Sequence, residues 1–135
     1  MPGFRIVVAA HGELASGLVS AAHLICGQID HVQAVGLQPE ESPESFAERL
    51  STACGDPGQP VLVLTDLVGG TPHNVALAVI RRRSSAVLIS GANLAVLIEA
   101  ATSVDALDDD AVERLVMAGR AALTDGASLV ASRSP

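Results

Sequence analysis

The chain has 135 residues, about the size of one domain. Hydrophobic residues make up 49% of it, which excludes a disordered chain. Its apolar segments are short and interrupted, so none reaches the roughly 18–20 residues of a membrane span. The net charge of −7, with arginine as the only basic residue type apart from histidine, excludes nucleic-acid binding, which requires a basic surface. With no signal-peptide layout at the start, we expect one cytoplasmic domain covering residues 1–135.

Short apolar runs alternate along the chain with segments of helical pattern. The predicted strands are 5–10, 31–37, 61–64 and 86–89. The predicted helices are 16–26, one opening at Ser42–Pro43, 71–82, 93–101 and one running from 108 to Gly126. Strands that are apolar throughout are typical of a sheet covered on both faces, and strand–helix alternation favours parallel pairing. The sequence therefore predicts a doubly wound α/β fold with a mainly parallel four-stranded sheet and helices on both faces.

Polar residues follow three of the predicted strands directly. His11 follows the first strand, Asp66 lies just after the third, and Ser90 and Asn93 come after the fourth. In open parallel sheets, ligands bind beyond the carboxyl ends of the strands, near the point where the strand order reverses. We therefore expect these side chains to lie near one another at one edge of the sheet.

These residue types suit phosphate chemistry on a histidine. One imidazole nitrogen can act as a nucleophile while a neighbouring carboxylate accepts the proton on the other and orients the ring. Gly69, Gly70, Thr71 and Pro72 open a helix whose amides, helped by the threonine hydroxyl, can hold an anion. No lysine follows the two glycines, so the turn is not a P-loop. A structural histidine and an aspartate that only caps a turn remain the alternatives at this point.

Three segments, in chain order, resemble a known family. Residues 7–12, Val-Val-Ala-Ala-His-Gly, resemble the active-site strand of the mannose/fructose/sorbose-type IIA proteins of the bacterial sugar phosphotransferase system (PTS). Residues 66–74 resemble the family's Asp-Leu-Phe-Gly-Gly-Ser-Pro-Phe-Asn signature, and residues 90–94 resemble its Ser-Gly-Val-Asn-Leu block. The resemblance extends over essentially the whole chain.

The resemblance implies a phosphorelay. In it, His11 receives phosphate, on Nε2, from the carrier protein HPr and passes it to an EIIB component, which phosphorylates an incoming sugar. Asp66 would hold Nδ1–H of the histidine, and residues 69–72 would bind the phosphate. The family also implies a homodimer in which the C-terminal segment crosses to the partner's sheet. Residues 128–131 are the candidate for that antiparallel edge strand. We expect no cofactor and no metal, and contact with the membrane only through the transporter complex.

This sequence departs from the family pattern at several positions, of which Thr71 in place of serine keeps the hydroxyl. Val68 and His73 stand where aromatic residues are usual, and Ala95 replaces a common proline. We expect Val68 and His73 at the rim of the site, where they bear on the choice of partner. His73 is either a plain surface substitution or a second group able to carry a proton. Together with Ser90 and Asn93, it is a candidate support residue.

Other functions remain open at this stage. A regulatory phosphoprotein on the same relay would keep His11 and Asp66 and differ only in its partners. The phosphocarrier subunit of a dihydroxyacetone kinase shares the fold and the strand-one histidine but carries a different stretch after the aspartate. A binding module would lack phosphate chemistry. The basic run 81–83 is either a docking patch or a set of cations at a helix C-terminus, where they favour the helix dipole. The sugar is not readable from this chain.

Overall fold

The computed structural model of the chain describes residues 3–133. The strands are β1 Arg5–His11, β2 Val32–Leu37, β3 Val61–Thr65 and β4 Ala86–Ser90. The helices are α1 Leu14–Cys26, α2 Pro43–Cys54, α3 Thr71–Ile80, α4 Leu94–Ser103, α5 Asp109–Ala121 and α6 Gly126–Arg133. All three strand pairings are parallel, and the order in the sheet is β2-β1-β3-β4. The predicted parallel, four-stranded α/β fold is confirmed.

Hydrophobic residues fill both faces of the sheet. On one face, Ile6 and Leu62 pack with α1, α4 and α5, whose buried residues include Leu97 and Leu115. On the other face, α2 and α3 cover Val7 and Val63. Because β1 and β3 lie in the middle of the sheet, both of their faces are buried, which explains why their sequences are apolar without alternation.

The helices begin where capping residues satisfy their first amides. The side chains of Ser42, Asn93 and Asp108 each accept a hydrogen bond from the amide three residues later. Such caps stabilise a helix start by about 1 kcal/mol each. Ser42 and Asn93 follow β2 and β4, so their caps fix where the chain turns away from the ends of those two strands.

The predicted C-terminal strand is wrong. Residues 128–131 lie in helix α6, and within residues 3–133 the two edge strands of the sheet are β2 and β4. Asp125 explains the helix, because its carboxylate accepts hydrogen bonds from the amides of Ala127 and Ser128 and from the Ser128 hydroxyl. Helix α5 also ends earlier than predicted, at Ala121 rather than near Gly126.

Arg83 from the basic run fastens two segments together. Its guanidinium donates to the carbonyl oxygens of Cys54, Gly55, Asp56 and Gln59, at the end of α2 and in the turn that follows. This position satisfies carbonyls that the helix leaves unpaired at its C-terminus. Arg83 therefore has a structural role, whereas Arg81 and Arg82 are exposed.

Across residues 3–133, none of the helices combines the length and the apolar character needed to cross a membrane.

Candidate functional site

His11 is the last residue of β1. At this edge of the sheet the chain continues from β1 to one face, in α1, and from β3 to the other face, in α3. The strand order places β1 and β3 side by side, with β2 and β4 outside them, so the order reverses between β1 and β3. Gly12 follows with φ of +57°, a left-handed conformation that suits glycine, and its amide donates to the Leu37 carbonyl. This turn leaves the His11 side chain 48% exposed.

Asp66 lies one residue beyond β3 and binds His11 twice. Its Oδ2 lies 2.9 Å from Nδ1 of the ring and 3.1 Å from the backbone nitrogen of His11. A carboxylate only accepts hydrogen bonds, so Nδ1 carries the proton and Nε2 keeps a free lone pair. The Asp66 side chain is only 12% exposed. The pair thus orients the ring and leaves Nε2 unprotonated in the neutral imidazole.

The environment of Asp66 keeps it ionised. Burial acts to raise the pKa of this carboxyl, but the hydrogen bonds from the ring and the backbone amide of His11 outweigh it, and the pKa ends below its ordinary value of 3.8. Its second oxygen, Oδ1, is buried and has no hydrogen-bond partner within residues 3–133. A charged carboxylate beside Nδ1–H stabilises positive charge on the imidazole when Nε2 forms a bond.

The turn before α3 lies directly against the histidine ring. Gly69 has φ of +84°, and the Gly70 amide donates to the Leu67 carbonyl. A Cβ on Gly70 would lie 2.9 Å from Cε1 of His11 and 3.5 Å from Nε2, so a side chain there would displace the ring. Glycine at position 70 therefore lets the start of α3 approach the ring of His11.

The first turn of α3 offers donors for an anion. The first backbone hydrogen bond of the helix runs from the Asn74 amide to the Gly70 carbonyl. The amides of Thr71 and His73 come before it, so they have no carbonyl partner within the helix. Pro72 is buried in this turn and has no amide hydrogen. Free amides and the helix dipole favour negative charge next to His11.

The three predicted support residues occupy different places. His73 Nδ1 and Ser90 Oγ lie 2.6 Å apart, and Ser90 Oγ also lies 2.6 Å from Thr65 Oγ1. Asn93 caps α4 and donates from Nδ2 to the Gly119 carbonyl, which ties α4 to α5. His73 is thus more than a surface substitution, and Asn93 acts on the helices behind the site.

Sequence reasoning missed Thr65, which is completely buried at the end of β3. The available signal was a hydroxyl residue closing an otherwise apolar strand. Val68, which we expected at the rim of the site, is 70% exposed. Leu67 beside it in the chain and Leu14, three residues after His11, are exposed as well.

Comparison with known proteins places this geometry in a family. The family model described as PTS system fructose IIA component, EIIA-man, matches residues 5–117. The chain belongs to this family. It is therefore an EIIA component of the mannose/sorbose type, a class of proteins that are components of phosphotransferase systems.

Curated relatives and solved structures agree with the assignment. The chain is 26% identical over 101 residues to the sorbose-specific EIIA component of Lacticaseibacillus casei, covering 73% of this chain and 72% of that protein. It is 29% identical over 113 residues to the mannose-specific EIIAB component of Escherichia coli K12, covering 82% of this chain but only 34% of that longer protein.

Among solved structures, an EIIA component from Streptococcus agalactiae matches with a TM-score of 0.82 at 31% identity, over 93% of this chain and 98% of that one. A mannose/sorbose-specific IIA subunit from Enterococcus faecalis matches with a TM-score of 0.84 at 30% identity, over 93% of this chain and 95% of that one.

Proposed function

We propose that the chain is a phosphocarrier that holds a phosphoryl group on Nε2 of His11. The observation that carries this proposal is the 2.9 Å contact between Nδ1 of His11 and Oδ2 of Asp66, which leaves the other ring nitrogen exposed. The glycine turn and the start of α3 lie against the same side of the ring, where a transferred phosphoryl group needs donors.

In the proposed step, the lone pair on Nε2 of His11 attacks the phosphorus of the phosphohistidine on HPr. A nitrogen–phosphorus bond forms on His11 as the one on HPr breaks, and HPr leaves with the electron pair on its own nitrogen. Asp66 keeps its hydrogen bond from Nδ1–H and stabilises the charge on the ring. Gly69, Gly70, Thr71 and Pro72 shape the phosphate pocket, with the amide and hydroxyl of Thr71 as donors.

The second half of the relay passes the phosphoryl group to an EIIB component, which serves sugar uptake. The names of the relatives support this role, since they are sorbose-, mannose- and fructose-specific PTS components. Leu14, Leu67 and Val68, which follow His11 and Asp66 closely in the chain, are exposed and offer a docking protein apolar side chains. We place the carrier in the cytoplasm, where it meets the membrane only through the transporter complex.

Phosphotransfer from phosphoenolpyruvate through enzyme I and HPr tests the proposal. Intact-mass spectrometry should show one acid-labile phosphate on the native chain and none on His11→Gln. The matched control is His23→Gln, because His23 lies in α1 and its Nε2 bonds the Ile29 carbonyl instead of facing the site. It should be phosphorylated like the native chain. An unphosphorylated native chain, with donors shown to be active, would reject the proposal.

We further propose that the chain works as a homodimer. The β4 edge supports this, because a groove of about 650 Å³ beside that strand is lined mainly by apolar residues of β4 and α5. An unpaired strand edge beside an apolar groove invites pairing with another chain. Sedimentation should give twice the chain mass; a monomer at micromolar concentration would reject this proposal without affecting the phosphocarrier.

A further inference from the structure

A chain of side-chain hydrogen bonds crosses the edge of the sheet next to His11. Thr65 ends β3, Ser90 ends β4 and His73 lies in the first turn of α3. Ser90 Oγ lies 2.6 Å from Thr65 Oγ1 and 2.6 Å from Nδ1 of His73. Thr65 is fully buried, whereas His73 and Ser90 are half-buried. The three side chains therefore fasten the start of α3 to the ends of two strands.

Counting the available protons gives the direction of donation along these hydrogen bonds. Its two links need one proton each, and the Thr65 and Ser90 hydroxyls supply one each. If Thr65 donates to Ser90 and Ser90 donates to Nδ1 of His73, both protons are used. If Nδ1 of His73 donated instead, one hydroxyl hydrogen would have no acceptor within residues 3–133, and a polar hydrogen without an acceptor is costly when buried. The first arrangement is favoured, so the proton of the neutral His73 ring sits on Nε2.

The two histidines at this edge therefore hold opposite tautomers. His11 carries its proton on Nδ1 because Asp66 accepts it, which frees Nε2 for the phosphoryl group. His73 offers an occupied Nδ1 and a protonated Nε2, so neither of its nitrogens is a free nucleophile. The His11 ring thus keeps one nitrogen available for reaction, whereas the His73 ring is held in place by its hydrogen bond with Ser90.

The position of His73 affects the proposed phosphate pocket, because the next residue in the chain binds the glycine turn. Its neighbour Asn74 donates from the backbone to the Gly70 carbonyl and from Nδ2 to the Gly69 carbonyl, 3.1 Å away. Gly70 in turn lies so close to the ring of His11 that a Cβ there would be 2.9 Å from Cε1. A movement of the first turn of α3 away from β4 would thus carry the glycine turn away from the nucleophile. Position 73 is also one where this chain departs from the phenylalanine of the resembled signature.

We propose that His73 is a positioning residue, locked as the Nε2–H tautomer by Ser90 and Thr65, that holds the first turn of α3 against β4 and so places the pocket beside His11. The consequence for phosphate transfer rests on the proposed function. The tautomer and the placement of the turn do not, and they are testable on the unphosphorylated protein.

Nitrogen-15 NMR of the histidine rings tests the tautomer. We expect Nδ1 of His73 to resonate as an unprotonated acceptor and Nε2 as protonated, with the reverse for His11. A His73 ring that is mainly protonated on Nδ1 would overturn the proposal. Ser90→Ala removes the hydroxyl that donates to Nδ1 of His73, so His73 should become a mixture of tautomers, whereas Thr65→Val leaves that donor in place and should keep the Nε2–H form. An unchanged His73 in Ser90→Ala would also overturn the proposal.

Ser90→Ala tests the positioning. The amide resonances of Gly70 and Thr71 and the ring of His11 should shift, whereas the control Ser85→Ala, exposed before the other end of β4, should leave them unchanged. Shifts confined to β4 and His73 would contradict the positioning role. In phosphotransfer from HPr, Ser90→Ala should lower the maximal rate about five-fold, the effect of one hydrogen bond, with the half-saturating HPr concentration unchanged.

The results separate the two proposals. A native maximal rate in Ser90→Ala would reject the positioning role of His73 and leave the phosphocarrier standing. A native chain that takes no phosphate would reject the phosphocarrier, and the NMR measurements would still decide the position of His73.

Discussion

The charged and polar side chains at the two ends of the parallel sheet differ in their hydrogen bonding. At the end where the strands begin, Arg83 donates to four carbonyl oxygens, and Arg5 donates to the Ala53 carbonyl. At the end where the strands finish, His11 uses one ring nitrogen and leaves the other exposed, and Oδ1 of Asp66 has no partner in the described part of the chain.

The difference separates groups that hold the fold from groups that are ready to react. The terminal nitrogens of the Arg83 guanidinium donate to four carbonyls and hold two segments together, although its buried Nε has no partner within residues 3–133, so its removal should cost stability. A histidine with one satisfied nitrogen is oriented but still reactive, so changes around it should affect chemistry first. Substitutions at the two ends can therefore be matched and compared.

The largest effect is expected for Asp66→Asn. The amide retains the shape but loses the charge that stabilises a phosphorylated, positively charged ring. We expect the rate of phosphate transfer from HPr to fall by about 10²–10⁴-fold, as for other acid–histidine pairs. Rapid-quench measurement of phosphate on His11 gives the rate. The control is Asp56→Asn at the opposite end, whose contact with Arg83 is through its backbone carbonyl. A native rate in Asp66→Asn would mean that the carboxylate does not assist.

Arg83→Met should show the reverse profile. Four carbonyl oxygens lose a charged donor, so we expect the free energy of unfolding to fall by about 2–3 kcal/mol, measured by urea denaturation. Phosphate transfer by the folded protein should be unchanged. Arg82→Met, at an exposed position with no hydrogen bond assigned to its side chain, should change the stability by less than about 0.5 kcal/mol. A slower transfer with unchanged stability would contradict the division between the two ends.

Gly36→Ala tests a contact between the sheet and the His11 turn. Gly36 lies in β2 opposite Ala10, and a Cβ there would collide with the backbone carbonyl oxygen of Gly12. Because the colliding atom is backbone, the turn after His11 must move. We expect a loss of about 1–3 kcal/mol and a roughly ten-fold slower transfer. Gly58→Ala is the control, since a Cβ there meets nothing within 4 Å. Native rates in both variants would show that the turn tolerates displacement.

Much of the fold was predictable because local patterns and global packing agree. Uniformly apolar strands indicated burial on both faces, and pairs such as Ser42–Pro43 and Thr71–Pro72 marked helix starts. The C-terminal segment was mispredicted because residues 128–131 are too few for periodicity to distinguish a strand from a helix. The capping side chain of Asp125 favours the helix.

The site could be predicted only from the rule that the carboxyl ends of parallel strands lie at one edge of the sheet. That rule brings His11, Asp66 and Gly70 together without knowledge of any distance. The roles of Thr65 and Gly36 depend on which atoms meet across neighbouring elements, a matter of register and turn geometry that sequence spacing does not contain. The same holds for His73, whose partner Ser90 lies on another strand.

The smallest expected effect concerns an ion pair beside Gly36. Arg49 binds both carboxylate oxygens of Glu41, at 2.6 and 2.9 Å, and also donates to the Gly36 carbonyl. The hydrogen bond from Arg49, with help from the backbone amide of Gln38, lowers the pKa of Glu41 from 4.5 to about 2. Because the folded-state pKa is the lower one, the pair's contribution to stability is fully present above pH 4.5 and disappears as the pH falls towards about 2.

Carbon-13 titration of the Glu41 carboxyl measures this directly. We expect a midpoint near 2 in the native chain and a return towards 4.5 in Arg49→Gln. Arg114→Gln is the matched control, because its pair with Glu99 is longer, at 3.8 Å, and lies on α4 and α5. The Glu41 midpoint should not move in it. Since Glu41 stays ionised in both chains near neutral pH, Arg49→Gln should slow phosphate transfer less than Gly36→Ala does. A native midpoint near 4.5 would mean that the pair between Arg49 and Glu41 is not formed in solution.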